Sequence, residues 1–588
     1  MFESCRVTCY HLAAMILRPE TLRANRWKIA SPVRPDLRQR LSHLHPVLLQ
    51  LLYNRGLTAE AQIQAFLEGR YLQADDPFLL PDMEKAVARI EEAIARDERI
   101  IVYGDFDADG VTATVLLVQA LRGLGLSREQ VQPYIPDRVD EGYGLNEEAL
   151  TALKEEKGAG LVISVDCGIR SVAEVRHARE IGLDMIVTDH HSLGPELPPA
   201  VALINPKRKE SAYPERMLAG VGIAYKLAQA LREALPERAA FDEARLLDLV
   251  ALGTVADLAP LQGENRVLVM SGLEVLNRGE RPGVFALTRI SGLTPGQITA
   301  ENIGFGLGPR INAAGRLSHA YDAARLLATN NLLMAERYAQ ALNELNQERR
   351  SLTRRLSQQA ETMVTDEDPI LIAADPGFVS GVVGLVASRL AEKHYRPAIV
   401  MEQGARESRA SCRSIPGFHI TEALDEVGYL LERHGGHAQA AGFTIRNENL
   451  DQFKSELTEI AARKLAEVEL TPTLKVDAEL RLDQIDWALQ GQLAQLEPTG
   501  EANRSPVFVS HGVNVMRHRA VGQDGAHLQL EVNDGPHGFQ CIAFRQGDWA
   551  SALPRKVDIV YNIGVNEWNG HRKLQLVVQD IRPATDRR

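Results

Sequence analysis

The sequence predicts an α/β fold: a doubly wound parallel sheet, then a long bridging helix, a second α/β domain and a small C-terminal β-barrel. Three observations predict it. Short apolar runs alternate with helical segments from about residue 83 to 204, as in a doubly wound parallel sheet. A helical pattern from Tyr321 to Met363 contains neither Pro nor Gly. Five short segments after residue 500 alternate apolar and polar residues, as barrel strands do.

Composition and charge limit the possible functions. The 588 residues are 45% apolar and 24% charged, and no apolar stretch approaches the roughly 20 residues of a membrane span, so we expect no membrane association. A net charge of −12 argues against coating nucleic acid through bulk electrostatics, so a nucleic-acid partner would require local arginines and metal ions. Five scattered cysteines without zinc or redox spacing, and the absence of an ordered signal peptide in the opening segment, favour a cytoplasmic protein.

The N-terminal region, residues 1–80, has helical amphipathic spacing and shows no catalytic motif. The predicted strands that follow it are Ile100–Tyr103, Val131–Ile135, Leu161–Val165, Met185–Val187 and Val201–Ile204. Helices are predicted between the first four strands, at Val111–Leu124, Asn146–Lys154 and Ser171–Ile181.

Acidic and histidine residues follow three of these strands. Asp105, Asp107 and Asp109 come after the first strand, Asp166 after the third, and the run Asp189–His191 after the fourth. Binding sites of such sheets lie beyond the carboxyl ends of the strands, so we expect these side chains to converge. Carboxylates alternating at the end of a buried strand need a counter-charge, and a divalent metal supplies one. The alternative for each motif by itself is structural: a solvated acidic turn, or a histidine that caps a helix or packs in the core.

A further carboxylate, Asp257, ends an apolar helical segment that begins at Ala244. The motifs Asp107-Ala-Asp109, Asp166-Cys-Gly168, Asp189-His-His191 and Gly253-Thr-Val-Ala-Asp257 together resemble, in order and spacing, the DHH phosphoesterase superfamily. Two further stretches, Ile135–Gly144 and Gly308–Leu317, resemble the bacterial single-strand-specific 5′→3′ DNA exonucleases of that superfamily. The resemblance covers about residues 80 to 585.

The resemblance implies metal ligands at Asp107, Asp109, Asp166, His190 and Asp257, with Asp166 bridging two ions. Oxygen-rich donors with one imidazole suit Mn²⁺ or Mg²⁺, and two such ions can activate a water and clamp a scissile phosphate. Asp166 and His191 are the expected catalytic residues, His191 by stabilising the phosphate. Tyr103 departs from the family pattern, which often has a histidine there; the site then lacks one imidazole or uses Asp105 or a water instead.

The resemblance also implies how single-stranded DNA is held. Arg138, Ser411 and Arg413 would bind its 5′ end, Tyr143 would stack on a base, and Arg310 would contact the backbone, in a channel too narrow for a duplex. The full set of expected substrate-binding residues is Arg138, Tyr143, Arg310, Asn312, Arg316, Ser411, Arg413 and His437. Arg349-Arg350 and Arg354-Arg355 of the bridging helix could track a backbone too, although such pairs more often form a solvated face.

The second α/β domain is expected to contain a strand at Pro369–Ala373, a helix at Val383–Glu392, a helix at Glu456–Glu469, and glycine- and serine-rich loops at Arg409–Gly417 and Gly435–Gly442. Outside the resemblance these loops would be ordinary turns; within it they resemble the substrate-binding DHHA1 domain. Phe378-Val379 stands where Trp-His is usual, so a contact from that histidine is not expected here.

The five C-terminal strands are predicted at Val507–Val509, Leu528–Val532, Cys541–Phe544, Val557–Ile563 and Leu574–Val578, which favours an OB-like barrel. The residues that could stack on bases or assist stacking are Phe539, Phe544, Trp549, Tyr561, Trp568, Arg545, Arg572 and Lys573. The alternative for each aromatic residue is a place in the barrel core.

The expected organisation is a helical N-terminal region (1–80), a DHH catalytic domain (81–320), a bridging helix (321–366), a DHHA1 domain (367–466) and an OB-like nucleic-acid-binding domain (467–588). The expected function is a metal-dependent single-strand-specific 5′→3′ exonuclease of DNA recombination and repair, monomeric, acting with a single-strand-binding protein and a repair helicase. A small-substrate DHH phosphodiesterase would not need the bridging helix or the barrel. A non-catalytic DNA-binding relative would have lost the carboxylates, which are all present here.

Overall fold

The computed structural model describes residues 25–137, 141–142, 144–568 and 570–584. They fall into two units: the described parts of Met1–Arg70 and Leu470–Arg588 form one, and Tyr71–Glu469 forms the other. Among the helices of these residues, none combines the length and hydropathy that crossing a bilayer would require.

The first elements of the chain are one strand and three helices: β1 (Arg26–Ile29), α1 (Pro35–Arg40), α2 (Pro46–Asn54) and α3 (Glu60–Leu67). The prediction of an all-helical start is therefore wrong at β1. This strand pairs in parallel with Thr473–Val476, and the Trp27 indole Nε1 donates to Asp580 Oδ2 at 2.7 Å. Because its partners lie more than 400 residues away, four residues with little periodicity could not reveal the strand.

The second unit begins with the predicted doubly wound domain. Its elements are α4 (Met83–Ala95), β2 (Arg99–Gly104), α5 (Ala108–Gly123), β3 (Val131–Tyr134), α6 (Glu147–Glu155), β4 (Ala159–Val165), α7 (Val172–Glu180), β5 (Asp184–Thr188) and β6 (Ala202–Ile204). The five strands pair in parallel in the order β3-β2-β4-β5-β6, which confirms all five predicted strands and the three helices between them.

Helices cover both faces of this sheet, so its inner strands β2, β4 and β5 are mostly apolar and buried. Along β2, Ile100 and Val102 belong to one core layer, whereas Ile101 and Tyr103 belong to the other. Alternate side chains of a strand point to opposite faces, and both faces are dry here. The side chains left for chemistry are therefore those just past the strand ends.

A helical layer follows: α8 (Gly220–Ala234), α9 (Leu247–Ala256), α10 (Gly263–Asn277), α11 (Pro282–Ile290), α12 (Gly308–Leu317), α13 (Tyr321–Ala328) and α14 (Leu332–Glu361). The single uninterrupted helix predicted from Tyr321 to Met363 is wrong, because the chain breaks between α13 and α14. The side chain of Asn331 accepts from the Met334 backbone N–H at 3.1 Å and begins α14 as an N-cap. Asparagine is a good N-cap, and without a nearby Pro or Gly the break was missed.

The second α/β domain consists of β7 (Leu371–Asp375), α15 (Ser380–His394), β8 (Ala398–Gln403), β9 (Glu407–Arg413), α16 (Ile420–Glu426), β10 (Leu431–His437), β11 (Ala440–Arg446) and α17 (Leu450–Leu465). Its sheet has the order β10-β11-β9-β8-β7. The strand at residue 371 and both helices are confirmed. The loops predicted at Arg409–Gly417 and Gly435–Gly442 are largely wrong, since much of each lies in the antiparallel strands β9, β10 and β11.

The C-terminal elements complete the first unit: β12 (Thr473–Val476), β13 (Ala478–Glu479), α18 (Trp487–Leu493), β14 (Phe508–Val521), β15 (His527–Asp534), β16 (His537–Ala543), β17 (Lys556–Trp568) and β18 (His571–Pro583). Pairings β14–β15, β15–β16, β16–β18, β18–β17 and β17–β14 close a five-stranded barrel, as predicted. Trp549 and Tyr561 are fully buried in its core, so the prediction that these two side chains stack on bases is wrong. Phe544 is 55% exposed, so for this residue stacking stays a prediction.

Replacing Trp549 by alanine should cost about 3–5 kcal/mol of unfolding free energy, because it empties a large site in the barrel core. All four tryptophans belong to this unit, so urea unfolding followed by the remaining indole emission reports on it. Trp487→Ala is the matched control: Trp487 is 48% exposed under Arg572, and its loss should cost about 1 kcal/mol. Equal costs for the two variants would contradict the assignment of Trp549 to the core.

Candidate active site

Six aspartates and two histidines meet beyond the carboxyl ends of three neighbouring strands. Asp105, Asp107 and Asp109 follow β2, and Asp166 follows β4 directly. The run Asp189–His191 follows β5, and Asp257 is the C-cap of α9. Because β2, β4 and β5 are parallel neighbours, their ends lie at one edge of the sheet.

The ligand atoms of these side chains form three groups that could hold a cation. The groups are Asp105–Asp107–Asp166, Asp109–His190–Asp257 and Asp166–His190–His191, and within each group all ligand atoms lie within 4.8 Å of one another. Asp166 and His190 each belong to two groups, so the three groups make one continuous cluster.

Two atoms at the centre of the cluster test whether its residues suit a cation. Nε2 of His190 lies 3.1 Å from Oδ1 of Asp166, and 3.8 Å and 4.0 Å from carboxylate oxygens of Asp257 and Asp109. Although Asp166 Oδ1 and His190 Nε2 lie close together, they form no hydrogen bond with each other, and neither buried atom has another hydrogen-bond partner among the described residues. Buried polar atoms without partners are costly, and carboxylates with one imidazole are donors that Mn²⁺ and Mg²⁺ accept. The residues present therefore fit a divalent metal.

The electrostatics of the cluster agree with this fit. Burial, together with the neighbouring carboxylates, raises the pKa of Asp109 to about 7, raises the pKa of Asp257 to about 9 and raises the pKa of Asp166 well above its ordinary value. Burial also lowers the pKa of His190 to about 3, which keeps its imidazole neutral and able to bind a metal. Carboxylates forced this close repel one another unless a cation lies among them.

The backbone around the cluster holds the carboxylates in place. Both oxygens of Asp109 accept backbone N–H groups at the start of α8, from Gly220 at 2.7 Å and Val221 at 2.9 Å. Asp166 has a left-handed backbone with φ of 63°, an arrangement that costs a non-glycine residue energy and is found mainly where function requires it. A Cβ on Gly220 would lie only 2.7 Å from the Asp166 side chain, so this position has to be glycine.

His191 is oriented by Asp189. Oδ1 of Asp189 accepts from both the backbone N–H and the ring Nδ1 of His191 at 2.8 Å, and Oδ2 accepts from the Ile169 N–H at 2.9 Å. Burial alone would raise the pKa of Asp189, but these bonds lower it, and Asp189 in turn raises the pKa of His191 despite its burial. Asp189 thus fixes the orientation of His191 beside the cluster and favours its charged form.

Asp189→Asn should lower kcat roughly 10–100-fold, because the amide cannot stabilise the charged imidazole of His191 as the carboxylate does. Steady-state kinetics over a pH series would check this, with the alkaline limb of the profile moving to lower pH because the pKa of His191 falls. Asp189→Glu should restore part of the activity. An unchanged pH profile in Asp189→Asn would show that Asp189 does not act through His191.

The position of Tyr103 shows whether residue 103 or Asp105 lies at the acidic cluster. Its ring packs in the core layer of Leu145 and Leu150, and its hydroxyl donates to the Gly144 carbonyl at 3.0 Å. The Asp105 side chain is buried instead beside Asp107 and Asp166. The structure therefore brings Asp105, and not residue 103, to the cluster.

The predicted substrate-binding residues are distributed around the cluster. Arg138 and Tyr143 lie outside the described residues. Asn312 accepts from the Ala108 backbone N–H at 2.7 Å, and so supports the loop that carries Asp107 and Asp109. Arg310 donates to Asn343 Oδ1 at 3.1 Å, and Arg316 donates to the Gly381 carbonyl at 3.2 Å.

Residues of the second α/β domain approach the same region. Arg413 donates to Ser411 Oγ at 3.1 Å, and both side chains lie beside Gly384 in α15. His437 is largely exposed. The part of its ring that loses water, and then the positive charges of Arg170, His191 and Lys207, lower its pKa. His437 is therefore close to a group of cations around His191.

Sequence reasoning missed three of these neighbours. Asn205 donates to the His191 carbonyl at 3.0 Å, Lys207 donates through Nζ to the His190 carbonyl, and Arg170 donates to the Ser192 carbonyl at 2.7 Å. Asn205 and Lys207 directly follow β6, so the strand-end rule that found Asp166 would have found them as well.

Comparison with known proteins gives the relatives of this architecture. Three domain-family models match the chain: the DHH family N-terminal domain over residues 99–254, the DHHA1 domain over residues 367–463 and the RecJ OB domain over residues 476–580. The match to the DHH family begins at β2 and ends within α9, and it includes Asp105, Asp166 and His190 but not Asp257.

Two bacterial proteins and one crystal structure are similar over most of the chain. The single-stranded-DNA-specific exonuclease RecJ of Bacillus subtilis is 38% identical over an alignment that covers 94% of this chain and 70% of that protein. The same enzyme of Escherichia coli is 35% identical over 92% of this chain and 96% of that protein. The crystal structure of RecJ from Thermus thermophilus in complex with Mn²⁺ superposes with a TM-score of 0.82 at 31% identity, covering 95% of this chain and 80% of that one.

Proposed function

The chain belongs to the RecJ family, and from this membership we propose that it is a single-stranded-DNA-specific 5′→3′ exonuclease that releases 5′-mononucleotides. The observation that carries the proposal is the pair of buried ligand atoms at the cluster centre, Asp166 Oδ1 and His190 Nε2, which have no hydrogen-bond partner among the described residues and are of the kind that divalent cations accept. A chain that had lost catalysis would have no reason to keep this arrangement.

The proposed ligands are Asp107, Asp109, Asp166, His190 and Asp257, and Asp105 supports the group that Asp107 and Asp166 form. Two divalent ions bound there would lower the pKa of a water and neutralise the charge of the scissile phosphate. Gly220 and Val221 hold Asp109 in position, and Asn312 holds the loop at Ala108, so the carboxylates are oriented before substrate arrives.

His191 donates to the scissile phosphate in this proposal, with its charge maintained by Asp189. Lys207, Arg170 and His437 place further positive charge beside it, where the reacting phosphate gains negative charge. Ser411 and Arg413, together with Arg138, hold the 5′ end, and Tyr143 stacks on a base. Fixing the 5′ end at a set distance from His191 would give the enzyme its polarity.

The test is digestion of a 3′-labelled single strand, the matching duplex and an RNA of the same sequence in Mn²⁺. We expect mononucleotides from the 5′ end of the DNA single strand only, and no products with Asp166→Ala. Equal cleavage of all three substrates would contradict single-strand DNA specificity. Release of labelled mononucleotide in the first turnovers would contradict the 5′→3′ polarity.

We also propose that the chain acts as a cytoplasmic monomer in recombination and repair, with a single-strand-binding protein and a repair helicase as partners. The described cysteines Cys167, Cys412 and Cys541 are unpaired thiols, in keeping with a reducing compartment. Light scattering after gel filtration checks the oligomeric state, and a dimer mass would contradict it.

A further inference from the structure

The loop between β6 and α8, residues 205–219, connects two sides of the cluster in the candidate active site. Near its start, Lys207 donates through Nζ to the backbone carbonyl of His190. At its end, the first backbone N–H groups of α8 donate to the side chain of Asp109. The conformation of this 205–219 loop therefore affects the distance between the histidine side and the aspartate side of the cluster.

A buried polar network holds the middle of the 205–219 loop against helices α8 and α10. The hydroxyl of Tyr213 donates to Glu264 Oε2 at 2.6 Å, and Lys226 Nζ lies 2.5 Å from Glu264 Oε1. Lys226 also donates to the Asp75 carbonyl at 3.0 Å. Tyr213, Lys226 and Glu264 are only 1%, 2% and 3% exposed. One carboxylate oxygen of Glu264 thus binds the loop, and the other binds α8.

The first turn of α10 holds the same loop at two further points. Glu215 accepts from the backbone N–H of Glu264 at 3.3 Å. Asn265, which is 1% exposed, donates to the Met217 carbonyl at 2.6 Å. Because Met217 lies three residues before Gly220, these contacts fix the chain up to the start of α8.

The buried ion pair is better explained by positioning than by stability. Taking Lys226 and Glu264 out of water costs free energy that their attraction only partly offsets, and apolar side chains of similar size would stabilise the domain as well. Hydrogen bonds and ion pairs, however, depend on distance and direction. The network with Tyr213 therefore selects one placement of the loop, α8 and α10 relative to one another.

The placement of α8 matters because its first turn contacts two of the proposed metal ligands. The N–H groups of Gly220 and Val221 bind Asp109, and a Cβ on Gly220 would lie 2.7 Å from the Asp166 side chain. Lys226 lies on the same helix, about 9 Å further along its axis at the usual rise per residue. A helix is stiff over this length, so a shift at Lys226 also shifts the N–H groups that hold Asp109.

We propose that Tyr213, Lys226 and Glu264 are positioning residues for metal binding, which keep the start of α8 and the two ends of the 205–219 loop at the spacing that the ligands need. The proposal rests on the proposed function, whose metal site it concerns, and it adds what sets the geometry of that site. The three residues lie outside the ligand groups that the described residues form, and they act through the ligands that the loop and α8 hold.

Two variants and a matched control test the proposal. Tyr213→Phe removes one hydroxyl and keeps the ring, and Lys226→Met removes the buried charge. Arg89→Met is the control, because Arg89 is 8% exposed and pairs with Glu98 at 2.6 Å and Asp184 at 2.7 Å, at the opposite edge of the sheet. Isothermal titration calorimetry measures Mn²⁺ binding, and melting in EDTA measures folding.

We expect the dissociation constant for Mn²⁺ to rise roughly tenfold in Lys226→Met and roughly threefold in Tyr213→Phe, because both changes loosen groups that orient metal ligands. In Arg89→Met it should stay within about twofold of wild type, since that side chain is distant and shares no partner with the ligands. The Mn²⁺ concentration that gives the half-maximal exonuclease rate should rise with the dissociation constant. With Mn²⁺ in excess, KM for a single strand should not change.

Two results would overturn the positioning role. Unchanged Mn²⁺ affinity in Tyr213→Phe and Lys226→Met would make the network a purely structural feature, and so would an equal loss of affinity in Arg89→Met. If Lys226→Met melts too low to be titrated, Tyr213→Phe decides alone. A wild-type chain that binds Mn²⁺ but degrades no DNA would contradict the proposed function, and the calorimetric comparison would still decide the positioning role.

Discussion

Asp166→Ala will lower the exonuclease rate by at least about 10³-fold. Loss of a supporting residue around a metal already costs roughly 10–100-fold, and Asp166 belongs to two of the three ligand groups. The remaining carboxylates Asp109 and Asp257 would keep some affinity for a cation. Without Asp166 they could not position that cation next to one bound by Asp105 and Asp107. Single-turnover cleavage of a 3′-labelled single strand measures the loss.

Asp184→Ala is the matched control for this change. Asp184 begins β5, at the opposite edge of the same sheet, where it pairs with Arg89 at 2.7 Å. Its removal takes one carboxylate from the domain and leaves the cluster intact, so activity should stay within about twofold of wild type. A comparable loss in both variants would mean that Asp166→Ala acts through folding and not through the metal site.

Divalent cations should stabilise the unit that contains the cluster, by about 4 kcal/mol at a concentration 1,000 times the dissociation constant. The gain is large because a cation removes the repulsion among Asp109, Asp166 and Asp257 and gives His190 Nε2 a partner. Calorimetric melting with Mg²⁺ and with EDTA measures it. The same melting midpoint with Mg²⁺ and EDTA would contradict metal binding, and Asp166→Ala should lose most of the shift.

The stabilisation should also depend on pH. In the metal-free protein the pKa of Asp109 is raised to about 7 and that of Asp257 to about 9, against an ordinary value of about 3.9. The folded state then holds more protons than the unfolded chain up to about pH 9, so metal-free stability falls as pH rises. The lowered pKa of His190 affects the stability only below its ordinary value of about 6.5. The raised pKa of His191, like the raised pKa of the carboxyls, makes the stability fall as pH rises.

Between pH 7 and pH 9, therefore, the melting temperature in EDTA should fall and the rise produced by Mg²⁺ should grow, because a cation no longer has to displace protons. Calorimetry at both pH values checks this. An Mg²⁺-induced rise that shrinks from pH 7 to pH 9 would contradict the raised pKa of the carboxyls.

Local sequence patterns were enough to predict the strands that position the candidate active-site residues. All five parallel strands were predicted, and the rule that strand ends meet brought together Asp107, Asp166 and His190. Periodicity failed where an element depends on distant partners. The strand β1 depends on residues near 473, and the strands β9, β10 and β11 consist of glycine- and serine-rich segments whose pairing stabilises them.

The order of strands and helices, and the acidic and histidine residues at the strand ends, could be predicted from the chain alone, because they follow from local periodicity and from the geometry of parallel sheets. Which side chains touch could be learned only from the folded molecule. In the folded molecule Tyr103 packs in the core, Asp105 lies in the acidic cluster, and Arg310 donates a hydrogen bond to Asn343. Contacts between residues far apart in the chain depend on how helices and sheets pack, and no local pattern encodes that packing.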